Sequence, residues 1–319
     1  RILPQVMDVC GKVAYAPYAL PGSKKLGENI AACFSQGYNC IMLENHGVVC
    51  GGSDLLDAFH KFETLDFCAR LAIKARLLGG HATLDDEQIA LFNGNRGNRL
   101  PEFAPGQRGS RERAYRRHVC EILHRSYQQR LMAGTEGVVS VRLEDEEDAF
   151  LINPTGKDRR YVDLADIVLV RGGQREAGKL PSRSARLHQR IYRDHPGINA
   201  IVTAQAPNST AFSIAEAAFN TRTIPESYIL LRDIKKLPYG PQFNDEGVVS
   251  AALDEDTPVV LLQNDAILAT GSTLLQAFDR LEVAEFSARS LIDAMALGPL
   301  VAMGDAEVRD LDRAFLGKK

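Results

Sequence analysis

The chain has 319 residues, of which 45% are hydrophobic and 25% charged, and its formal net charge is −3. These values are typical of an ordinary soluble globular protein and argue against nucleic acid or a membrane as a partner. No apolar run approaches the ~18 residues that a membrane helix needs. The six cysteines show no Cys-x-x-Cys spacing, so reduced thiols and a cytoplasmic location are expected.

The first part of the chain, residues 1–94, predicts short strands and turns followed by helices. Within residues 1–52, one helix is expected from about Lys25 to Gln36, with Ser23 as its N-cap. Residues 53–79 predict a long amphipathic helix that ends at two glycines. A shorter helix is expected to begin near residue 83, because acidic residues there favour a helix N-terminus.

Residues 95–111 predict a linker, since they are rich in Gly, Pro and Asn. Four arginines lie in it: Arg96, Arg99, Arg108 and Arg111. A basic run can bind an anion, but a solvated tether is the preferred interpretation. The chain is therefore predicted to form two domains, 1–94 and 112–319, joined by this linker.

The second part of the chain mixes helical patterns with strands and hairpins. Helices are predicted over 112–132 and 184–195, and strands over 138–143, 149–152, 167–170 and 198–203. This mixture favours an α/β or α+β domain with a largely antiparallel sheet.

The two parts share an internal repeat. The stretch from Glu44 to Gly52 recurs in altered form from Gln263 to Gly271, and His46 of the first copy falls on Asp265 of the second. Each stretch follows a short apolar run and precedes a long amphipathic segment, which predicts strand, tight turn, strand and helix. Many identities continue at the same offset, so two copies of one unit are predicted.

The repeat leaves the first copy without the opening portion that the second copy has. Residues 1–94 are therefore expected to be the C-terminal part of a first domain, and the sequence is expected to be a fragment. Residues 112–319 are expected to be a second, complete domain.

Several motifs carry a resemblance to one family. In the second copy they lie at 151–156, 178–182, 187–192, 200–202 and 206–211, and in the first copy at 16–19 and 43–47. Together they resemble the class II aldolase/adducin family over nearly the whole chain. The resemblance implies an α/β/α layered fold with a largely antiparallel central sheet flanked by helices.

The resemblance also implies a chemistry. Family enzymes bind a divalent metal, usually zinc, through two histidines of a His-x-His strand and a third in an Asn-His-Gly turn. An acidic residue after Pro-Ser-Ser moves a proton, while the metal polarises the substrate carbonyl and stabilises an enediolate. Three protein ligands leave one metal position open for the substrate.

In the second copy these positions are replaced. The His-x-His strand corresponds to Thr203-Ala204-Gln205, the third ligand to Asp265 and the acid to Ser184. The resemblance therefore implies that the second copy is not a metal-dependent aldolase. Asp265 is interpreted as a turn residue that hydrogen-bonds its own backbone.

The first copy keeps His46 in an intact Asn-His-Gly turn. The resemblance makes His46 a metal ligand of the full-length protein, whose other ligands and acid would lie upstream of Arg1. The alternative is that His46 is a structural or merely exposed residue, as in adducin-like members that are not enzymes.

The family's phosphate pocket is only partly kept in the second copy. Thr155, Gly156 and Ser182 match it, whereas Val138 replaces an Asn and Arg183 replaces a Ser. Arg183 can hold a phosphate with two parallel hydrogen bonds. The alternative is that Thr155-Gly156 only makes a turn and that Arg183 is solvated.

Two functions remain open at this point. One is a metal-dependent aldolase or related lyase acting on a small sugar phosphate, with its active site in the first copy and a non-catalytic second copy. The other is a non-catalytic, adducin-like scaffold or binding protein. A homo-oligomer is expected in both cases, because the resemblance implies ring-shaped assemblies.

Overall fold

The first copy forms a small sheet and four helices in the computed structural model, which describes residues 1–94 and 100–317. Its elements are α1 (Pro4–Cys10), β1 (Val13–Ala16), α2 (Lys24–Ser35), β2 (Cys40–Leu43), β3 (Gly47–Cys50), α3 (Leu55–Leu77) and α4 (Asp86–Gly94). The strands lie in the order β1-β2-β3, with β1 parallel and β3 antiparallel to β2.

The second copy is built on a sheet of nine strands. The strands are β4 (Glu102–Phe103), β5 (Val138–Arg142), β6 (Ala149–Ile152), β7 (Val168–Arg171), β8 (Gln174–Glu176), β9 (Ala200–Ala204), β10 (Lys235–Leu237), β11 (Val259–Leu262) and β12 (Ala266–Gly271). The helices are α5 (Ser110–Gln128), α6 (Ala185–Asp194), α7 (Pro207–Ile214), α8 (Pro225–Leu231), α9 (Pro241–Asn244), α10 (Glu246–Ala251), α11 (Leu274–Ala294) and α12 (Asp305–Phe315).

The nine strands are mostly antiparallel and carry helices on both faces. Their order is β10-β11-β12-β9-β5-β6-β7-β8-β4, and only the β10–β11 and β4–β8 pairs are parallel. Neighbouring residues along a strand point to opposite faces: Val138 packs in one apolar core and Val139 in the other. The predicted α/β class with a largely antiparallel sheet is confirmed.

The backbone repeats its geometry in the two copies. The β2–β3 pair has the register Leu43↔Gly47, and β11–β12 has the corresponding register Leu262↔Ala266. Each turn contains an asparagine in the left-handed region, Asn45 with φ 52° and Asn264 with φ 51°. Such a φ is uncommon for residues other than glycine, and asparagine tolerates it. The shared geometry supports two copies of one unit.

The strand-to-helix connection is also shared. A Cβ on Gly52 or on Gly271 would lie 2.5 Å from the backbone nitrogen of Ala58 or Ala277. The close approach of strand end and helix therefore requires glycine at both positions.

The first copy packs on the second through one continuous apolar core. Leu3, just before α1, and Leu71 of α3 are fully buried in the same core as Phe212 of α7 and Phe278 of α11. At the rim of this contact, Glu63 accepts hydrogen bonds from Tyr127 and from the backbone of residue 134.

Two parts of the structure differ from the expectation from sequence. Helix α1 lies where only strands and turns were expected, and part of the predicted tether is ordered against the second copy. There, Glu102–Phe103 pair with β8, and Arg108 donates to Glu176 over 2.9 Å. Residues 95–99, with Arg96 and Arg99, lie outside the described part of the chain. No helix in the described part is both long and apolar enough to cross a membrane.

Glu176 is the centre of a buried ionic cluster at this edge of the sheet. Its carboxylate is 3% exposed and pairs with Arg108, Arg116 and Lys179 at 2.8–2.9 Å. Burial alone would raise the pKa of Glu176, but hydrogen bonds from Lys179, Arg116 and Arg108 outweigh it and lower the pKa to about 2. The cluster holds β8 and the start of α5 together.

We expect Glu176→Gln to lower the free energy of unfolding at neutral pH by about 3–5 kcal/mol, because buried cations lose their partner. The folded pKa is depressed, so the ionised carboxylate stabilises the fold above its unfolded pKa of about 4.3. This stabilisation is lost as the pH falls towards about 2. Urea unfolding should therefore show the difference from wild type shrinking over this range.

Glu28→Gln is the control, since the ion pairs of Glu28 within the described residues, with Lys24 and Lys25, are exposed. It should change the unfolding free energy by less than about 1 kcal/mol. Equal effects of the two substitutions would contradict the role given to the cluster.

Candidate functional site

One cavity of about 270 Å³ in the second copy collects the predicted site residues. All four predicted substrate-binding residues of that copy line it: Thr155, Gly156, Ser182 and Arg183. Thr203, Gln205, Asp265 and Ser184, at the positions that the family resemblance assigns to the metal ligands and the acid, also line it. Positions far apart in the sequence are thus brought to one place.

Two loops that meet backbone to backbone form one wall of this cavity. Thr155 donates its backbone N–H to Leu180 over 3.1 Å, and Ser182 donates to Asn153 over 3.0 Å. Gly156 turns the chain with φ 69°, a conformation that suits glycine. Ser184 precedes α6, and its side chain makes no capping hydrogen bond.

Asp265 occupies the position that corresponds to His46. Its Oδ1 accepts a hydrogen bond from Gln5 over 2.6 Å, and its Oδ2 accepts one from Gln242 over 3.1 Å. The carboxylate thus binds two glutamine side chains, and the expectation that it bonds its own backbone was wrong. Burial raises the pKa of Asp265, against the opposing effects of Gln5, Gln242 and Arg183.

Gln5 reaches this cavity from the first copy. It lies on α1, which also places Asp8 and Val9 in the cavity wall. The N-terminal segment before α1 also holds the turn that precedes Asp265. The side-chain amide of Asn264 donates to the backbone carbonyl of Ile2 over 2.8 Å. The cavity is therefore made by both copies, and no motif in the sequence signals the contribution of α1.

Charged side chains of both signs also line the cavity. Arg159 is buried and donates to the backbone carbonyls of residues 137, 154 and 157, and burial lowers its pKa to about 10. Arg183 lies with its guanidinium 4.3 Å from the centre of the Phe92 ring. Burial raises the pKa of Glu136, against the opposing charges of Arg183 and Arg159. Glu136, Arg159 and Phe92 were not identified from the sequence.

His46 does not belong to this cavity. It lies exposed in the β2–β3 turn of the first copy, where its backbone N–H donates to Leu43 over 3.1 Å. Within the described part of the chain, no strand pairs with the outer edge of β3, whereas the corresponding strand β12 pairs with β9.

Tyr228 of α8 lies outside this cavity. It is 7% exposed and its hydroxyl donates to Asp312 of α12 over 3.0 Å. It therefore packs within the second copy.

Known proteins resemble this chain in sequence and fold. The family model described as Class II Aldolase and Adducin N-terminal domain matches residues 1–73 and 117–292. The L-fuculose phosphate aldolase of Methanococcus vannielii is 31% identical over 171 residues, which are 53% of this chain and 91% of that protein. The enzyme of the same name from Escherichia coli (strain K12) is 31% identical over 188 residues, 56% of this chain and 83% of that one.

Solved structures share the fold. YgbL from Escherichia coli matches with a TM-score of 0.56 and 25% identity, covering 63% of this chain and 98% of that one. An L-fuculose 1-phosphate aldolase matches with a TM-score of 0.57 and 24% identity, covering 66% of this chain and 98% of that one.

The raised pKa of Asp265 predicts a pH-dependent stability. A carboxyl whose folded pKa is raised favours folding in its protonated form, and this contribution is lost as the pH rises above the unfolded value of about 3.9. We expect wild type to lose stability relative to Asp265→Asn as the pH rises. Denaturant unfolding across a pH series measures the difference.

Asp233→Asn provides the comparison for this series, because Asp233 is exposed. Its difference from wild type should stay nearly constant with pH. Parallel profiles for Asp265→Asn and wild type would show that burial of Asp265 does not disfavour its charge.

Proposed function

We propose that this chain, which belongs to the class II aldolase and adducin family, is part of a metal-dependent lyase that cleaves a small sugar phosphate. Its active site lies in the first copy, and the second copy is non-catalytic. The observation that carries the proposal is the turn at His46. It has the backbone geometry of the Asp265 turn, and the Asp265 turn lies in the cavity where the other functional positions of its copy meet.

The substrate class follows from the relatives. The relatives from Methanococcus vannielii and Escherichia coli are L-fuculose phosphate aldolases, which supports an aldol cleavage of a phosphorylated sugar.

The metal is assigned to the full-length protein and not to the residues present here. Both carboxylate oxygens of Asp265 accept hydrogen bonds from glutamines, and Thr203 and Gln205 are not zinc ligands. The second copy therefore does not fit a metal. Among the described residues, no group of three His, Cys, Asp or Glu is placed to hold one. We assign His46 as one ligand of a divalent metal, zinc by the family resemblance.

An apolar face of α3 supports a larger first domain. Phe59 and Phe62 are 48% and 46% exposed, whereas the corresponding Phe278 and Leu281 of α11 are fully buried. Exposed apolar surface of this kind is costly unless another element covers it. We propose that the opening portion of the first domain packs on this face and brings the remaining ligands next to β3.

The alternative is a non-catalytic, adducin-like binding protein. The replacement of the metal and acid positions in the second copy favours it for that copy. A His-x-His strand and an acid after Pro-Ser-Ser upstream of the first copy would decide for the enzyme.

We expect His46→Ala to remove most of the bound metal and the retro-aldol turnover of the full-length protein, without unfolding it, because His46 is exposed. Metal analysis and turnover with and without a chelator measure both effects. Unchanged metal content would exclude His46 as a ligand.

His81→Ala is the matched control, since His81 is also exposed in the first copy, and it should retain metal and turnover. Residues 1–319 alone should show no turnover that a chelator abolishes. Such turnover would contradict the assignment of the remaining ligands to an upstream portion.

We further propose a homo-oligomer in which α8 of one chain lies on the His46 turn of another. Helices α1 and α8 correspond in the repeat: both begin with proline and end at a residue with positive φ, Gly11 at 63° and Arg232 at 54°. Within the chain, α1 places Gln5 on Asp265. The same relation between chains places the exposed Glu226 on His46, and two chains then close a ring of four copies.

Light scattering on the full-length protein should show a dimer or larger closed assembly. Glu226→Lys should shift it toward monomer, because the lysine removes a negative charge opposite His46. Glu255→Lys, also at an exposed acid, should leave the mass unchanged. A stable monomer of the unmodified protein would rule the assembly out.

A further inference from the structure

We propose that the cavity of the second copy is a metal-free binding site for a small uncharged polyol, such as a sugar alcohol or aldose of five or six carbons. The proposal goes beyond the function above, since it does not depend on catalysis in the first copy. It rests on polar groups in the cavity wall that make no hydrogen bond within the described part of the chain.

Three side chains in the wall offer hydrogen-bonding groups that the protein does not use. Across residues 1–94 and 100–317, the hydroxyls of Thr155 and Ser184 and the carboxylate of Glu136 make no hydrogen bond. Ser184 is the residue before α6, and its hydroxyl makes no hydrogen bond to the start of that helix. The hydroxyl is therefore available to a ligand. Together these groups both donate and accept, which matches a ligand hydroxyl.

Two glutamines of the same wall carry buried acceptors without partners. The Oε1 atoms of Gln5 and Gln205 accept no hydrogen bond in the described part of the chain, and the residues are 5% and 7% exposed. Leaving such a buried acceptor unpaired destabilises the protein. The last torsion of a glutamine is broad, so the Gln205 amide can turn its oxygen to a donor that enters the cavity, while Gln5 keeps its hydrogen bond to Asp265.

The charges in the wall favour an uncharged ligand. Asp8, Glu136 and Asp265 line the cavity together with Arg159 and Arg183, so charged groups of both signs surround a ligand there. Arg159 already donates to three backbone carbonyls. A phosphate would bring negative charge next to Glu136 and Asp265, and an ammonium ion would face two guanidinium groups. A ligand hydroxyl can donate to the carboxylates and amide oxygens of the wall and can also accept from its hydroxyls and guanidinium groups.

The shape of the cavity agrees with a small molecule. Its volume of about 270 Å³ lies just below the ~300–1,000 Å³ of sites for drug-sized ligands. Phe92 and Phe243 form an edge-to-face pair with ring centres 5.8 Å apart and line one side. Their apolar surface can take the C–H groups of a polyol.

Calorimetric titration of residues 1–319 in the presence of EDTA tests the proposal, with xylitol and D-ribose as uncharged probes. Inorganic phosphate and ethylamine are the charged probes. We expect at least one polyol to bind and to raise the melting temperature, more tightly than either charged probe. Failure of both polyols to bind, tighter binding of phosphate or ethylamine, or loss of binding in EDTA would overturn the proposal.

Two substitutions locate the binding in the cavity. Thr155→Val and Ser184→Ala each remove one hydroxyl and should weaken polyol binding about 2- to 10-fold, with little change in melting temperature of the free protein. Thr83→Val removes an exposed hydroxyl away from the cavity and should leave affinity unchanged. Equal affinities for all four proteins would place the ligand elsewhere and overturn the proposal.

Discussion

The structure depends on the left-handed asparagine in the hairpin turn of each copy. At Asn45 and Asn264 the chain reverses with nearly the same φ, so the next residue is presented at the same place relative to the sheet. The glycine that follows each hairpin then lets the long helix begin against the strand end. Because the backbone is fixed in this way, the side chain at 46 or 265 can change without loss of the fold.

The second copy has Asp265 at the position that corresponds to His46, and neighbouring side chains hydrogen-bond its carboxylate. Gln5 and Gln242 satisfy both oxygens of the carboxylate, and Asn264 binds the backbone of the first copy. The position that the family resemblance assigns to a metal ligand is, in the second copy, part of the contact between copies. The turn at Asn264 and Asp265 therefore helps to hold the first copy against the second.

The sequence predicts the regular elements and the members of the site better than their contacts. The periodic patterns over 53–79 and 138–152 correspond to α3 and to the β5–β6 hairpin, and the motif residues Thr155, Ser182 and Asp265 do meet in one cavity. Helix α1 was missed because seven residues are too few to show a helical period. The Gln5–Asp265 contact spans 260 positions, and no local pattern encodes such a contact.

The outer edge of β3 has a consequence for handling the protein. In the described part of the chain, this edge is without a neighbouring strand, and it carries two β-branched residues, Val48 and Val49. A row of unpaired backbone N–H and C=O groups on an apolar strand is a template for edge-to-edge pairing. The same edge of a second molecule can therefore pair with it, in a contact that depends on backbone hydrogen bonds more than on side-chain charge.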